Sequence, residues 1–252
     1  MVSTGQHPSF AHPGIAEALC EVHFQFGEEG WKPTAFGDLF VALQPDFPEL
    51  EPVAEMGVQF QLGAGGLSQE LLPAQQRVRY KHKDRQVLVH LSDSVFTVNV
   101  LPAYDGWTRM QADLLNAWER LLGVVTVSSV SRIGLRYINR LPKTDDQTVG
   151  DWLRASDYIP AAALSSLSGL LSRLEVHPTT TERRIVTVAD VKADDPQDSG
   201  LVFDIDCIGE DPIDPARESI ADLTDRLHAE AWRIFESSIT PRLRDYLETG
   251  EA

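Results

Sequence analysis

Alternating cations in one short segment form the most distinctive chemical pattern of this sequence. Positions 77 to 85 read RVRYKHKDR, with a basic side chain at every second residue: Arg77, Arg79, Lys81, Lys83 and Arg85. Alternate residues of an extended strand share one face, so this spacing predicts a single positive stripe on a sheet. Such a stripe could bind phosphate or carboxylate oxygens. The competing interpretation is a solvated face balanced by acidic neighbours such as Glu70, Asp84 and Asp93.

A second set of arginines lies in RIGLRYINR, which runs from Arg132 to Arg140. If this strand shares a sheet with the basic strand, Arg132 and Arg136 would extend the anion site. The alternative is that these arginines form cross-strand ion pairs with nearby carboxylates, namely Glu21, Asp204 and Asp206. The sequence does not order the strands, so both interpretations stay open.

Asp204 and Asp206, in VFDID, fall on one side of a predicted strand. Two carboxylates so placed could ligate Mg²⁺ or act as an acid and base pair, which would indicate a metal-dependent hydrolase or nuclease. No spacing supplies a third acidic ligand. Solvation or pairing with arginine is therefore the competing interpretation of this pair.

The remaining motifs do not indicate a reaction. The sequence contains no HExxH or CxxC spacing, no GxSxG turn and no Walker or GxGxxG loop. His23 and His90 occupy polar phases of predicted strands, where they could share a face, and we interpret them as surface histidines. We predict no cofactor and no resident metal. A non-catalytic protein is favoured, and enzymatic activity is left open.

Charge and composition restrict the partners. The chain has 22 Lys and Arg against 38 Asp and Glu, a formal net charge of -16, which disfavours nucleic acid and anionic lipid surfaces. Uncharged apolar runs are too short to span a bilayer, and the first residues do not resemble a secretory signal, so we expect a cytoplasmic protein. Cys20 and Cys207 fall at apolar positions and are expected to be buried free thiols.

The pattern of elements predicts an α+β protein with two similar halves. We expect an N-terminal tail over residues 1–14, a first β-α-β-α half over 15–125 and a second over 126–252, which could form one continuous domain. Each half reads as a strand, a short helix, several strands and a long amphipathic helix. The short helices are predicted around Phe36 to Leu43 and in VGDWLRA, and the long ones begin near Trp107 and Arg217.

A duplicated unit of this type predicts curved antiparallel sheets with both long helices packed on one face. In its order of elements the unit is similar to the saddle fold of the TATA-binding protein. This similarity concerns topology, and topology does not determine function.

Three separated patches also resemble a sporadically distributed bacterial family of uncharacterised proteins of about this length. The patches are IAEALCEVHF, RIGLRYINR and LHAEAWRIFESSITPRLR, and the resemblance covers nearly the whole chain. It supplies no catalytic residues. The scattered occurrence of that family implies a role in antiphage defence or in a toxin-antitoxin system.

Together these observations predict a binding or regulatory module that uses a basic strand face to engage an anionic ligand or an acidic protein segment. The predicted contact residues are Arg77, Arg79, Lys81, Lys83, Arg132 and Arg136. Another protein is the expected partner, and a homodimer is an alternative. The hydrolase or nuclease that uses Asp204 and Asp206 is the second interpretation, and nonspecific nucleic-acid binding is the third.

Overall fold

The computed structural model describes residues 10–28, 30–55, 58–63, 66–71, 75–191 and 200–251. Residues 1–9 of the expected tail lie outside this description, as does the side chain of Glu70. The described chain is α+β, with one large antiparallel sheet, a separate two-stranded ribbon and five α-helices.

Nine strands form the large sheet, and each adjacent pair is antiparallel. Its strands in chain order are β1 (Ile15–Phe26), β2 (Glu49–Glu55), β5 (Gln75–Lys81), β6 (Val87–Leu91), β7 (Val95–Val100), β8 (Val127–Leu141), β9 (Leu171–Val176), β10 (Glu182–Val191) and β11 (Gly200–Gly209). Between β2 and β5 the chain forms the ribbon of β3 (Val58–Gly63) and β4 (Gly66–Leu71). The spatial order of the sheet is β2-β5-β6-β7-β1-β8-β11-β10-β9.

The helices are α1 (Ala35–Leu43), α2 (Trp107–Leu122), α3 (Val149–Trp152), α4 (Arg217–Ser238) and α5 (Pro241–Thr249). Helix α5 begins as its sequence predicts, with Pro241 in the first turn and the Thr240 side chain accepting a hydrogen bond from the Leu243 amide. The helix predicted in VGDWLRA is confined to α3, because Leu153 is extended and forms a bridge with Ile239.

The centre of the sheet is the antiparallel pair β1 and β8. Along β1 the buried residues alternate with more exposed ones, which leaves Ala18, Cys20, Val22 and Phe24 on one face. The residues between them, including Glu21 and His23, lie on the other face. We call these the core face and the polar face. Pairing of β1 with β8 places strands from both predicted halves in one continuous sheet.

Helices cover the core face. Helix α2 contacts β7, helix α4 contacts β8 and β11, and the two helices contact each other. Trp118 of α2 is fully buried, meets Phe24 and Phe96 edge to face, and donates from Nε1 to the carbonyl oxygen of Pro215 at 2.8 Å. This residue therefore joins α2, two strands and the segment that leads into α4.

The buried thiols agree with the prediction. Cys20 and Cys207 are free and buried on the core face. Burial raises the pKa of the Cys207 thiol to about 12 and that of Cys20 higher still, so both stay protonated at neutral pH. Among the described residues, no helix has both the length and the apolar character that a bilayer crossing requires.

The strand order is similar on the two sides of the centre. Outward from β1 the neighbours are β7, β6 and β5, and outward from β8 they are β11, β10 and β9. Strand β2 is an additional edge strand on the first side. The long helices α2 and α4 each follow the innermost of these neighbours, β7 and β11, in the sequence.

Replacing Trp118 with alanine tests the importance of this contact. We expect Trp118→Ala to lower the free energy of unfolding by about 3–5 kcal/mol, because it leaves a cavity and an unpaired Pro215 carbonyl. Urea denaturation followed by circular dichroism measures the change. Val41 is 70% exposed, so Val41→Ala is the control and should change stability by less than about 0.5 kcal/mol. Equal effects of the two substitutions would contradict this assignment of the core.

Candidate functional site

The register places the two predicted basic segments on the same face of one sheet. From β5 to β8 the paired residues run from Arg79 to His90, Thr97, Glu21 and Gly134. Directly paired residues of antiparallel strands point to the same side, so this row lies on one face. Arg132 and Arg136 flank Gly134 at alternate positions of β8 and share that face with Arg79 and Lys81.

The predicted positive stripe is shorter than five residues. Strand β5 ends at Lys81, and the chain then turns into β6, so only Arg77, Arg79 and Lys81 belong to the face. Lys83 donates from Nζ to the carbonyl oxygen of Pro45 at 2.8 Å. Arg85 forms a two-point pair with Asp113 of α2 at 2.6 and 2.8 Å, on the helix side. The prediction treated a strand and its turn as one extended segment.

Ion pairs occupy the arginines at the centre of the polar face. Arg136 donates from Nε and Nη2 to the two carboxylate oxygens of Asp204 at 2.8 and 2.7 Å. Arg132 donates from Nη1 to Glu21 at 2.7 Å. Both contacts belong to the cross-strand pairing that the sequence left open as the alternative to an anion site. These two arginines are therefore already paired with carboxylates of the chain.

His23 completes this group, which we call the central cluster: Glu21, His23, Arg132, Arg136, Asp204 and Asp206. The Nε2 atom of His23 lies 2.6 Å from Glu21 Oε1 and 2.5 Å from Arg132 Nη1. One ring nitrogen cannot donate to Glu21 and accept from Arg132 at the same time, so each tautomer satisfies one of the two contacts. The space above Gly134 holds Arg132 Nη2 and Asp206 Oδ1, at 3.5 and 3.8 Å from the position of a β-carbon.

Two carboxyl groups of the central cluster titrate in opposite directions. Burial raises the pKa of Asp206 to about 6, although Arg136 and Arg132 act to lower it. Burial also acts to raise the pKa of Glu21, but the hydrogen bond and charge of His23 together with Arg132 outweigh it and lower this pKa to about 2. Asp206 therefore changes its charge in mildly acidic solution.

The cations of β5 contact a different carboxylate. Glu51 of the edge strand β2 pairs with Lys81 at 2.5 Å and approaches Arg79 at 3.9 Å. Arg77 crosses β6 and donates from Nη2 to the hydroxyl of Thr97 on β7 at 3.3 Å. One carboxylate thus serves two cations, and the third has a neutral hydroxyl among its contacts.

His90 of β6 pairs with Arg79 in the register of the sheet and was not predicted as part of the site. It is 4% exposed, and neither ring nitrogen has a hydrogen-bond partner within the described chain. Burial and the charges of Arg77 and Arg79 lower its pKa to about 3, so the ring is neutral at neutral pH. The Nε atom of Arg79 is also buried without a partner in the described chain. Alternation along the strand predicted the face on which His90 lies, but it did not predict that the side chain is buried.

The geometry gives little support to a metal ion. In the part of the chain that the structure describes, no three His, Cys, Asp or Glu side chains are grouped so as to hold one. Both oxygens of Asp204 accept hydrogen bonds from Arg136, which leaves Asp206 as the carboxylate of the pair that is not held in this way. A metal bound here would have to displace a two-point ion pair.

The pKa of Asp206 predicts a specific dependence of stability on pH. The folded protein holds this proton up to a pH of about 6, whereas an unfolded Asp releases it near 3.9, so stability decreases as the pH rises through this window. Asp206→Asn removes that loss. We expect the variant to match the wild type near pH 4 and to exceed it by about 2 kcal/mol at pH 7. Urea denaturation across this pH range measures the difference.

The control for this experiment is Asp222→Asn, at an exposed position of α4, which should follow the wild-type profile. Parallel profiles of Asp206→Asn and the wild type would contradict the raised pKa.

The buried imidazole predicts a second effect on stability. His90→Leu replaces a polar ring that has no partner among the described residues with an apolar side chain of similar size, so we expect stability to rise by about 1 kcal/mol at pH 7. Thermal unfolding measures this change. The control is Thr97→Val, which removes the hydroxyl that accepts from Arg77 and should not stabilise the protein. A His90→Leu variant less stable than the wild type would indicate that the ring has a partner.

The comparisons with known proteins supply no family. No protein-family model matches the chain, and a search of curated proteins finds no significant match.

Proposed function

We propose that this protein is a non-catalytic binding module that recognises an anionic group at one end of the polar face. The proposed site is the basic corner, defined as Arg77, Arg79 and Lys81 of β5 with His90 of β6. One observation carries the proposal: a buried imidazole and a buried guanidinium nitrogen lie there among cations, and neither has a hydrogen-bond partner in the described part of the chain. Buried polar groups are almost always hydrogen-bonded, so such groups suggest the place of a ligand.

The charges of the basic corner favour an anion. The corner brings three cations together, and Glu51 contacts two of them, Arg79 and Lys81. Their partly buried positions reduce solvent screening, which strengthens the attraction for a negative group above what exposed side chains provide. Arginine in particular binds a carboxylate or phosphate through two parallel hydrogen bonds.

Arg132 and Arg136 have a different role in this proposal from the one that the sequence suggested. Their carboxylate partners would have to leave before an external anion could bind in the same way, and this makes them poor primary contacts. We assign them to positioning, because they fix the central cluster beside the basic corner. An acidic protein segment is the partner class that fits best, since it can place one carboxylate in the corner and others along the face.

Two alternatives are less well supported. Nonspecific nucleic-acid binding would use the same cations, but a polyanion must lie over a protein with a net charge of -16. A hydrolase or nuclease would use Asp204 and Asp206. The pKa of about 6 at Asp206 suits an acid or base, whereas the ion pair of Asp204 opposes its use as a metal ligand.

We also infer that the two halves arose by duplication into a saddle-like sheet of the TATA-binding protein type. The similar strand order outward from β1 and from β8 supports this inference. In this scheme 15–125 and 126–252 are the repeated units. A role in bacterial defence or a toxin-antitoxin system remains a proposal that the family resemblance alone supports.

Neutralising two cations of the basic corner tests the binding proposal. We expect Arg77→Gln with Arg79→Gln to weaken binding of a hexaglutamate peptide by ~10-fold or more, because two charge-assisted contacts are lost. Isothermal titration calorimetry at low salt measures the affinity. The melting temperature should stay within a few degrees of the wild-type value, since both side chains lie on the polar face.

The matched control is Arg173→Gln with Arg226→Gln, which removes the same charge from exposed positions elsewhere. Equal losses of peptide affinity in the two double variants would show that the effect comes from net charge alone, and this would overturn the proposal. Absence of peptide binding to the wild type would do the same. A single-stranded oligonucleotide that binds more tightly than the peptide would favour the nucleic-acid alternative.

A further inference from the structure

A second cation-rich site lies on the opposite side of the sheet from the basic corner. It is a surface cleft of about 150 Å³ between α1, α2 and the turn that joins β5 to β6. Its charged lining residues are Asp46, Arg85, Arg109, Asp113 and Arg120. Three arginines and two aspartates leave an excess of one positive charge in a protein whose total charge is strongly negative.

The contacts of these arginines indicate where the excess charge lies. Asp113 is 11% exposed and serves both Arg85, at 2.6 Å, and Arg109, at 3.8 Å. Arg120 donates from Nη1 to the carbonyl oxygen of Ala42 at 2.5 Å, which holds the guanidinium in place without cancelling its charge. Arg109 is 57% exposed and so can move toward a ligand. Arg109 and Arg120 are therefore the cations most available to an anion.

Two neutral groups of the lining are held as hydrogen-bond donors. The Nδ1 atom of His82 accepts from the backbone amides of Asp84 and Arg85 at 3.0 and 3.2 Å, so the proton of the neutral ring resides on Nε2. Burial and Arg85 lower the pKa of His82, which favours this neutral form. The Oδ1 atom of Asn116 accepts from Arg217 at 3.4 Å, which leaves its NH₂ group as the donor.

We propose that this cleft binds a phosphoryl group, either as free phosphate or as a phosphate monoester. A phosphoryl group presents several strong acceptor oxygens, and the lining offers guanidinium, imidazole and amide donors at several positions. The cleft volume of about 150 Å³ is enough for several waters and therefore for a compact anion. Leu43 and Phe47 form an apolar side of the cleft, against which an ester substituent can rest.

The proposal is independent of the basic corner, although the same strand and its turn supply both sites. The alternating cations of the sequence divide at the end of β5: Arg77, Arg79 and Lys81 face the polar side, whereas Arg85 lines the cleft. Substitutions at the two sites therefore separate them in one experiment.

Titration with inorganic phosphate is the direct test. At low ionic strength we expect the wild type to bind phosphate with a dissociation constant on the order of 1 mM or below. Binding should shift the NMR signals of His82 and Asn116. Arg109→Gln with Arg120→Gln should weaken this binding by ~10-fold or more. Both side chains are on the surface of α2, and an unchanged melting temperature checks that the variant is folded.

Two further double variants distinguish the interpretations. Arg77→Gln with Arg79→Gln should leave phosphate binding unchanged at His82, even if that variant loses the hexaglutamate peptide. Arg173→Gln with Arg226→Gln controls for net charge. The proposal is overturned if the wild type does not bind phosphate, or if Arg109→Gln with Arg120→Gln binds it no more weakly than the charge control.

A second titration separates the two sources of the phosphoryl group. O-phosphoserine carries the same group with an organic substituent. Tighter binding of O-phosphoserine than of inorganic phosphate, with signal changes at Phe47, would assign the cleft to a phosphate monoester. Tighter binding of inorganic phosphate would assign it to the free anion. If phosphate and O-phosphoserine bind no more tightly than chloride at the same ionic strength, binding reflects charge alone and the proposal is overturned.

Discussion

The alternation of residues along the central pair β1 and β8, which is unbroken from Glu17 to His23 of β1, is the constraint on which the other features depend. On β1 it directs Cys20 and Val22 toward the helices and Glu21 and His23 toward the opposite face. A slip of one residue in the pairing would place Arg136 in the core and Leu135 in water, at the cost of burying a charge. The same register brings Arg132 to Glu21 and Arg136 to Asp204. The ion pairs and the apolar core thus select the same alignment.

Pairing at the centre of the polar face has a consequence for its ends. Because carboxylates hold Arg132 and Arg136 of β8, the middle of the face is an internally compensated network and not a receptive surface. At β5 one carboxylate, that of Glu51, contacts both Arg79 and Lys81, and near the turn after β5 Asp113 contacts both Arg85 and Arg109. Both candidate sites therefore adjoin one strand and its turn.

Local patterns predicted most of the elements. The alternation of IAEALCEVHFQF predicts β1, the helical spacing from Trp107 predicts α2, and Pro241 after Thr240 predicts the start of α5. The partners of the arginines could not be predicted from the sequence, because charge alternation is equally consistent with an external anion and with a carboxylate on an adjacent strand. The division of the basic row at Lys81 required the position of a turn, and Asp84 was its local signal. The burial of His90 depends on the tertiary structure around β6, which no local pattern contains.

The high negative charge of the chain bears on which anions such sites can bind. At physiological salt the screening length is about 8 Å, so a compact anion in a cleft responds mainly to the few groups that line it. An extended polyanion instead spans many screening lengths along a surface that is acidic on average. It is therefore repelled along most of its length. Partly buried cation sites in an acidic protein therefore favour single phosphoryl or carboxylate groups over nucleic acid. This selectivity arises from the difference between the positive charge of the site and the negative charge of the surrounding surface. It does not require contacts with the rest of the ligand.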